Sequence, residues 1–352
     1  MQPLDRLGRR VRSTLADAAD RAVVMQLGGV LVERPPVLDV SPVEPRAFWA
    51  RSSVAEPHTV WVERSKDSFE RGWRELDLSG ESEGPGTHLG SRRLFATAHV
   101  RSGATAAPLI LIVHGFANPF TGYDRWLAWR LRRHGAHTVR LELPFHLRRA
   151  VQREHSGDHF FSLDPAHIRA VVRQSVEDTA AVVAWARREV TPHVRLMGTS
   201  LGGLMVLLLS ALSPMEQTLA VAPLCDPAAS FTQSRKGPMQ RYTGMLGEAA
   251  GYWGRDRESA RQVLEEALAP IVARRMSPIT PPERITIVES TEDGVVGAAS
   301  MEELAHAWGT HLWRYPHGHI TVMNAGGLPT RVVAHLTRGA GRLGRPGLAL
   351  AG

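Results

Sequence analysis

Val194-Arg-Leu-Met-Gly198-Thr-Ser200-Leu201-Gly202-Gly203 is the stretch on which the reading of this chain turns. Residues 193–197 have the apolar character of a short strand, and residues 201–212 are apolar nearly all round, as a buried helix is. Between them stands Gly-x-Ser-x-Gly, so the order is strand, tight turn, helix, the setting of a nucleophile elbow. A serine on so sharp a turn holds a strained backbone conformation, with its hydroxyl raised above the sheet edge. Gly198 and Gly202 flank it because side chains there would collide within the turn. The helix beginning beside Ser200 aims its free N–H groups and positive dipole end at the same point. The Leu201 N–H is therefore one donor to an oxyanion.

Outward from the elbow, the chain alternates strand and helix. Leu109-Ile-Leu-Ile-Val113 is a continuous apolar run closed by His114-Gly115, as a buried parallel strand is. A helix is expected over 123–133, a strand over 137–142, and a long helix after Asp164-Pro165, an N-cap followed by proline at the first helical position. Ile168, Val171, Val172, Val176, Val182, Val183 and Trp185 line one side of that helix. Further strands are expected over 59–64, 93–100, 218–222, 285–289 and 311–315, with a Gly/Ser/Glu loop over 79–91. This alternation predicts an α/β fold with a mostly parallel central sheet and helices on both faces.

A serine hydroxyl is a weak nucleophile and needs a base held by a third group. Asp293 follows the strand expected over 285–289, and His319 follows the one expected over 311–315. The order Ser200, Asp293, His319 therefore sets an acid after one later strand and a histidine after the next. His317 is the alternative base, and Glu292 or Asp226 the alternative acids. His114-Gly115-Phe116 closes the earlier strand where a second oxyanion donor is needed, and the Phe116 N–H is assigned to it. His114 itself is read as shaping the loop. His155-Ser-Gly-Asp158-His159 sets two histidines four apart, but Gly157 marks the segment as a loop and not the helix a zinc motif of that spacing needs, so no metal site is assigned there. His146, His155, His159 and His167 are read as a loop at the mouth of the site. Cys225 is read as a packed residue.

His114-Gly-Phe116, Gly198-Thr-Ser-Leu-Gly-Gly203, Asp293-Gly-Val-Val and Gly318-His-Ile320 together resemble the α/β-hydrolase superfamily of serine hydrolases. The elbow and His-Gly-Phe-Ala-Asn-Pro-Phe-Thr-Gly122 are similar to poorly characterised α/β-hydrolase-domain-containing proteins. The resemblance spans about residues 59–338 and implies the α/β-hydrolase fold, a Ser-His-Asp triad and no metal or organic cofactor. Thr199 departs from the histidine that many lipases and esterases carry there. The reaction it implies is hydrolysis of an acyl bond in an ester, thioester or amide, most directly a carboxylic ester. Fold alone does not name a substrate.

The flanking segments bear on partners. Residues 1–57 are expected to be a helical extension and linker; 58–225 and 283–340 the two parts of the core; 226–282 a lid or cap insertion; and 341–352 a tail. Leu4, Leu7, Val11, Leu15 and Ala18 recur at helical spacing among arginines. That stripe suits a helix packed on the domain, or a peripheral membrane contact. Phe231, Met239, Tyr242, Met245, Tyr252 and Trp253 make the insertion suited to cover an apolar acyl group, so a lipid or phospholipid acyl hydrolase is one alternative. A peptidase of the same fold and a non-catalytic binding scaffold are the others. No repeated blade pattern precedes the elbow, and the full Ser, Asp and His set argues against a scaffold.

The net charge of +7 does not point to nucleic acid, because the 40 arginines and two lysines are scattered among acids without a long basic run. One cysteine in 352 residues excludes an internal disulfide framework. No run of eighteen apolar residues occurs, and the expected compartment is the cytoplasm.

Overall fold

The sequence LILIV at β4 (Leu109–Val113) is buried at all five positions, and its residues divide alternately between two cores. Leu109, Leu111 and Val113 face one layer of helices, and Ile110 and Ile112 face the other. That is the period of a strand at the centre of a three-layer sandwich. The computed structural model describes residues 39–57, 59, 61–67, 72–82, 92–117, 121–233 and 256–339. The amphipathic stripe within residues 1–38, the aromatic and methionine side chains from Phe231 to Trp253, and the tail 341–352 lie outside the described residues.

The other strands are β1 (Val62–Asp67), β2 (Trp73–Glu81), β3 (Arg93–Arg101), β5 (His137–Leu141), β6 (Val194–Thr199), β7 (Gln217–Val221), β8 (Ile285–Ser290) and β9 (His311–Tyr315). They form one sheet in the order β1-β2-β3-β5-β4-β6-β7-β8-β9. The first three join antiparallel, and all pairings from β5 through β9 are parallel. The expected mostly parallel sheet with helices is thus present.

One face carries α3 (Pro165–Glu189), α4 (Leu201–Leu212) and α7 (Ala298–Trp308); the other carries α2 (Gly122–Arg133) and α8 (Leu328–Leu336). Asp164 caps α3 by accepting the Ala166 N–H at 3.0 Å, with Pro165 at the first helical position. α1 (Pro45–Trp49), α5 (Pro227–Gln233) and α6 (Arg257–Ala267) complete the α-helices of the described residues.

Three expectations are adjusted. The first strand begins at Val62, three residues later than expected. Ser79, Gly80 and Glu81, expected in a loop, belong to β2, whose buried Leu76 and Leu78 alternate with half-buried neighbours along a nine-residue pairing with β3. Pro45, within the 1–57 segment expected to be extension and linker, starts α1, where the Glu44 carboxylate accepts the Arg46 and Ala47 N–H groups. Trp49 is buried there and donates its indole N–H to the Pro270 carbonyl at 2.8 Å.

The chain leaves β4 for β5 on one side and returns past it to β6 on the other. Consecutive crossovers therefore diverge between β4 and β6, and a crevice opens beyond their C-terminal ends. Val113 pairs with Gly198 there, so the residues after β4 and after β6 meet at that crevice.

Candidate active site

Ser200 stands between β6 and α4 at φ +51° and ψ −115°, a region that side chains rarely enter. Its backbone is held on both sides. The Ser200 N–H donates to the Val221 carbonyl at 2.9 Å, and its carbonyl accepts from Leu204 at 3.2 Å and Leu224 at 3.1 Å. A Cβ on Gly198 would lie 2.1 Å from the Gly202 carbonyl oxygen, and one on Gly202 would lie 2.2 Å from the Val113 oxygen and 2.5 Å from the His114 oxygen. Both obstacles are main chain and cannot swing aside. Gly202→Ala is accordingly expected to lower stability by about 3 kcal/mol, at the upper end of overpacking costs. Urea unfolding of the variant beside the parent measures this.

The Asp293 carboxylate is held from behind, its Oδ1 accepting the N–H groups of Val295 and Val296 at 2.9 Å each. Its Oδ2 lies 2.7 Å from His319 Nδ1, and His319 Nε2 lies 2.9 Å from Ser200 Oγ. A carboxylate only accepts, so Nδ1 carries the proton and Nε2 is left to accept from the serine hydroxyl. Asp293 and His319 are almost wholly shielded from water, at 0% and 6% side-chain exposure. Their mutual attraction is therefore little screened.

Neither of these two hydrogen bonds is made by an alternative residue. His317 supplies its carbonyl, which accepts from the Glu292 N–H at 3.1 Å and from the Ser290 hydroxyl. Asp226 caps α5 through Ala229 N–H at 2.9 Å and faces Arg274 at 3.5 Å. His319 leads into a short turn, Thr321–Asn324, and not into a full α-helix.

The His114-Gly115-Phe116 loop lies against the serine: a Cβ on Gly115 would be 3.4 Å from Ser200 Cβ. Among the described residues the N–H groups of Phe116 and Leu201 donate to no acceptor. His114 donates from Nδ1 to the Gly115 carbonyl at 2.7 Å and accepts the Leu143 N–H at Nε2, 3.1 Å away. Burial pushes its pKa down to about 4, which keeps it neutral. His146, grouped by sequence with the loop histidines, is buried under this loop and accepts the Ala117 N–H at 3.0 Å. That contact links positions 29 residues apart and leaves no signature in the local sequence.

Cys225 is buried, and that burial, with Asp226 and Asp293 nearby, pushes its thiol pKa well up and disfavours a thiolate. His159 pairs with Glu154 at 2.6 Å, while His155 is largely exposed. Among the described residues no cluster of three His, Cys, Asp or Glu side chains is arranged to hold a metal ion. No helix among them is long and apolar enough to cross a membrane.

The sequence matches no protein-family model and no curated protein. Solved structures do resemble it. Acetyl xylan esterase 1 from Thermoanaerobacterium sp. JW/SL YS485 aligns with a TM-score of 0.59 at 15% identity, over 90% of this chain and 98% of that one. The acetyl xylan esterase from Paenibacillus sp. R4 aligns with a TM-score of 0.60 at 16% identity, over 88% and 96%. An α/β hydrolase from Penicillium sp. sh18 aligns with a TM-score of 0.50 at 16% identity, over 76% and 99%. With its strand order, its crevice at the β4–β6 divergence and its strained serine between β6 and α4, the chain has the α/β-hydrolase fold.

Proposed function

We propose that the protein is a serine hydrolase that cleaves a carboxylic ester through an acyl-enzyme. The observation that carries this reading is the unbroken hydrogen-bonded line from Asp293 through His319 to Ser200, with two N–H groups beside it that donate to no acceptor among the described residues. In the forward step Ser200 Oγ attacks the carbonyl carbon while His319 Nε2 takes its proton. Asp293 keeps the imidazole in the tautomer able to accept and stabilises the imidazolium that forms. The carbonyl oxygen becomes an oxyanion held by the Phe116 and Leu201 N–H groups. Each donor of this kind is worth about 2.7–4 kcal/mol of barrier. His319 then protonates the departing alkoxide, and water, activated by the same imidazole, releases the acid and regenerates Ser200.

Thioesters and amides present the same carbonyl and need the same groups. The ester is favoured because two of the aligned structures are named for acetyl ester cleavage. We assign 226–282, which stands between β7 and β8 in the sequence, the part of a lid or cap. A fluorophosphonate probe with a panel of p-nitrophenyl esters of graded acyl length, run beside a peptide anilide, tests the reading. Labelling of Ser200 and ester turnover exceeding anilide turnover are expected. A protein that neither labels nor turns over any ester would overturn it.

A further inference from the structure

We propose that His146 is a positioning residue that holds the oxyanion-binding loop in its working conformation; the inference rests on the reading of Phe116 as an oxyanion donor. Two consecutive peptide units are involved. The first joins Gly115 to Phe116. Its carbonyl accepts the His114 Nδ1–H at 2.7 Å, and because C=O and N–H point opposite ways in a trans peptide, the Phe116 N–H is turned away from His114. The second joins Phe116 to Ala117. Its N–H donates to His146 Nε2 at 3.0 Å. The two imidazoles lie side by side, ring centres 5.0 Å apart, each holding one of the two units.

Ala117 needs such a hold, since it sits at φ +50° with a side chain in the left-handed region. His146 can accept only at an unprotonated Nε2. That tautomer is set by its Nδ1–H, which donates to the Pro144 carbonyl at 2.7 Å. The Phe116 ring packs edge-on against the His146 ring at 5.7 Å, so the same side chain holds both the amide and the aromatic group of the loop.

The support beneath His146 is itself rigidly tied. The Leu143 N–H donates to His114, and the buried Arg149 guanidinium donates to the Glu142 carbonyl at 2.9 Å and to Asp178 at 2.7 Å. Phe145 and Leu147, on either side of His146, both have positive φ, at +61° and +51°. The Phe145 carbonyl accepts the Gly157 N–H at 2.8 Å. Gly157 in turn presses on Ala117 from the other side: a Cβ there would lie 3.0 Å from Ala117 Cα, and its φ is +98°. Backbone strain kept in place by so many bonds is the mark of a segment selected for position and not for ease of folding.

The test is a steady-state comparison of His146→Leu, which removes the acceptor, with His146→Gln, whose Oε1 can stand near the Nε2 position. Removing an oxyanion donor outright costs about 10²–10³ in kcat, so displacing one by loss of its hold is expected to cost about 30-fold in kcat with KM little changed. Affinity for a trifluoromethyl ketone, which needs the same pocket, should fall in parallel, and the glutamine should recover most of both. Parental kcat in folded His146→Leu, a loss confined to KM, or a glutamine no better than leucine would overturn the inference. Should the leucine variant not fold, His146→Ala takes its place: it likewise lacks the acceptor, and undiminished kcat in it overturns the inference equally. The underlying reading fails separately, through absent ester turnover in the parent or turnover that survives Ser200→Ala. A Ser200-dependent esterase indifferent to His146 defeats only the positioning role.

Discussion

Ser200→Ala is expected to reduce ester turnover by about 10⁴–10⁶ in kcat, the range found when a triad nucleophile is removed and binding with the oxyanion donors remains. The fold should survive, because the elbow is held by main-chain bonds to Val221, Leu204 and Leu224 that the hydroxyl does not make. Alanine meets the same steric cost at φ +51° that serine already bears. Stability is therefore expected within about 0.5 kcal/mol of the parent, as for other small changes that leave packing intact. Ester hydrolysis at high enzyme concentration, paired with a thermal melt, measures both. Turnover above about one hundredth of the parent's would move the nucleophile elsewhere, given the scale of loss a nucleophile carries.

Asp293→Asn should cost about 10⁴ in kcat with little change in KM, for a reason specific to this site. Asp293 Oδ1 is committed to two backbone N–H groups, from Val295 and Val296. An asparagine amide will keep its oxygen there, since an NH₂ would oppose two donors. Its NH₂ must then face His319 Nδ1, which becomes the acceptor. The ring proton moves to Nε2, where it confronts the Ser200 hydroxyl and blocks proton abstraction. Steady-state kinetics with a p-nitrophenyl ester give the magnitude, and ¹⁵N chemical shifts of His319 report the tautomer. An unaltered tautomer with full activity would remove Asp293 from the orienting role.

Much of the site was legible because its parts are local. The elbow needs its glycines within a few residues of Ser200, and Asp293 and His319 each follow a recognisable apolar strand. The unbroken apolar run at Leu109–Val113 made the central strand equally plain. β2 was obscured because Arg74, Glu75, Asp77 and Glu81 dilute its alternation, and only Leu76 and Leu78 bury. Its strand character comes from nine paired residues in β3, a partner that propensity does not see. α7, absent from the expected elements, does carry a local signal, since Met301, Leu304, Ala305 and Trp308 follow helical spacing. His146 had no such signal. A histidine in a polar loop and a histidine buried beneath the 115–117 turn look alike in one dimension.

Two of the contacts that crowd the elbow are backbone against backbone: Gly198 on the Gly202 carbonyl, and Gly202 on the carbonyls of Val113 and His114. Side-chain identity beyond those glycines does not enter them. Neighbouring positions are thus free to drift, and drift far, while the turn keeps its shape. That insulation lets a chain share only 15–16% of its residues with the acetyl xylan esterases and still superimpose along most of its length.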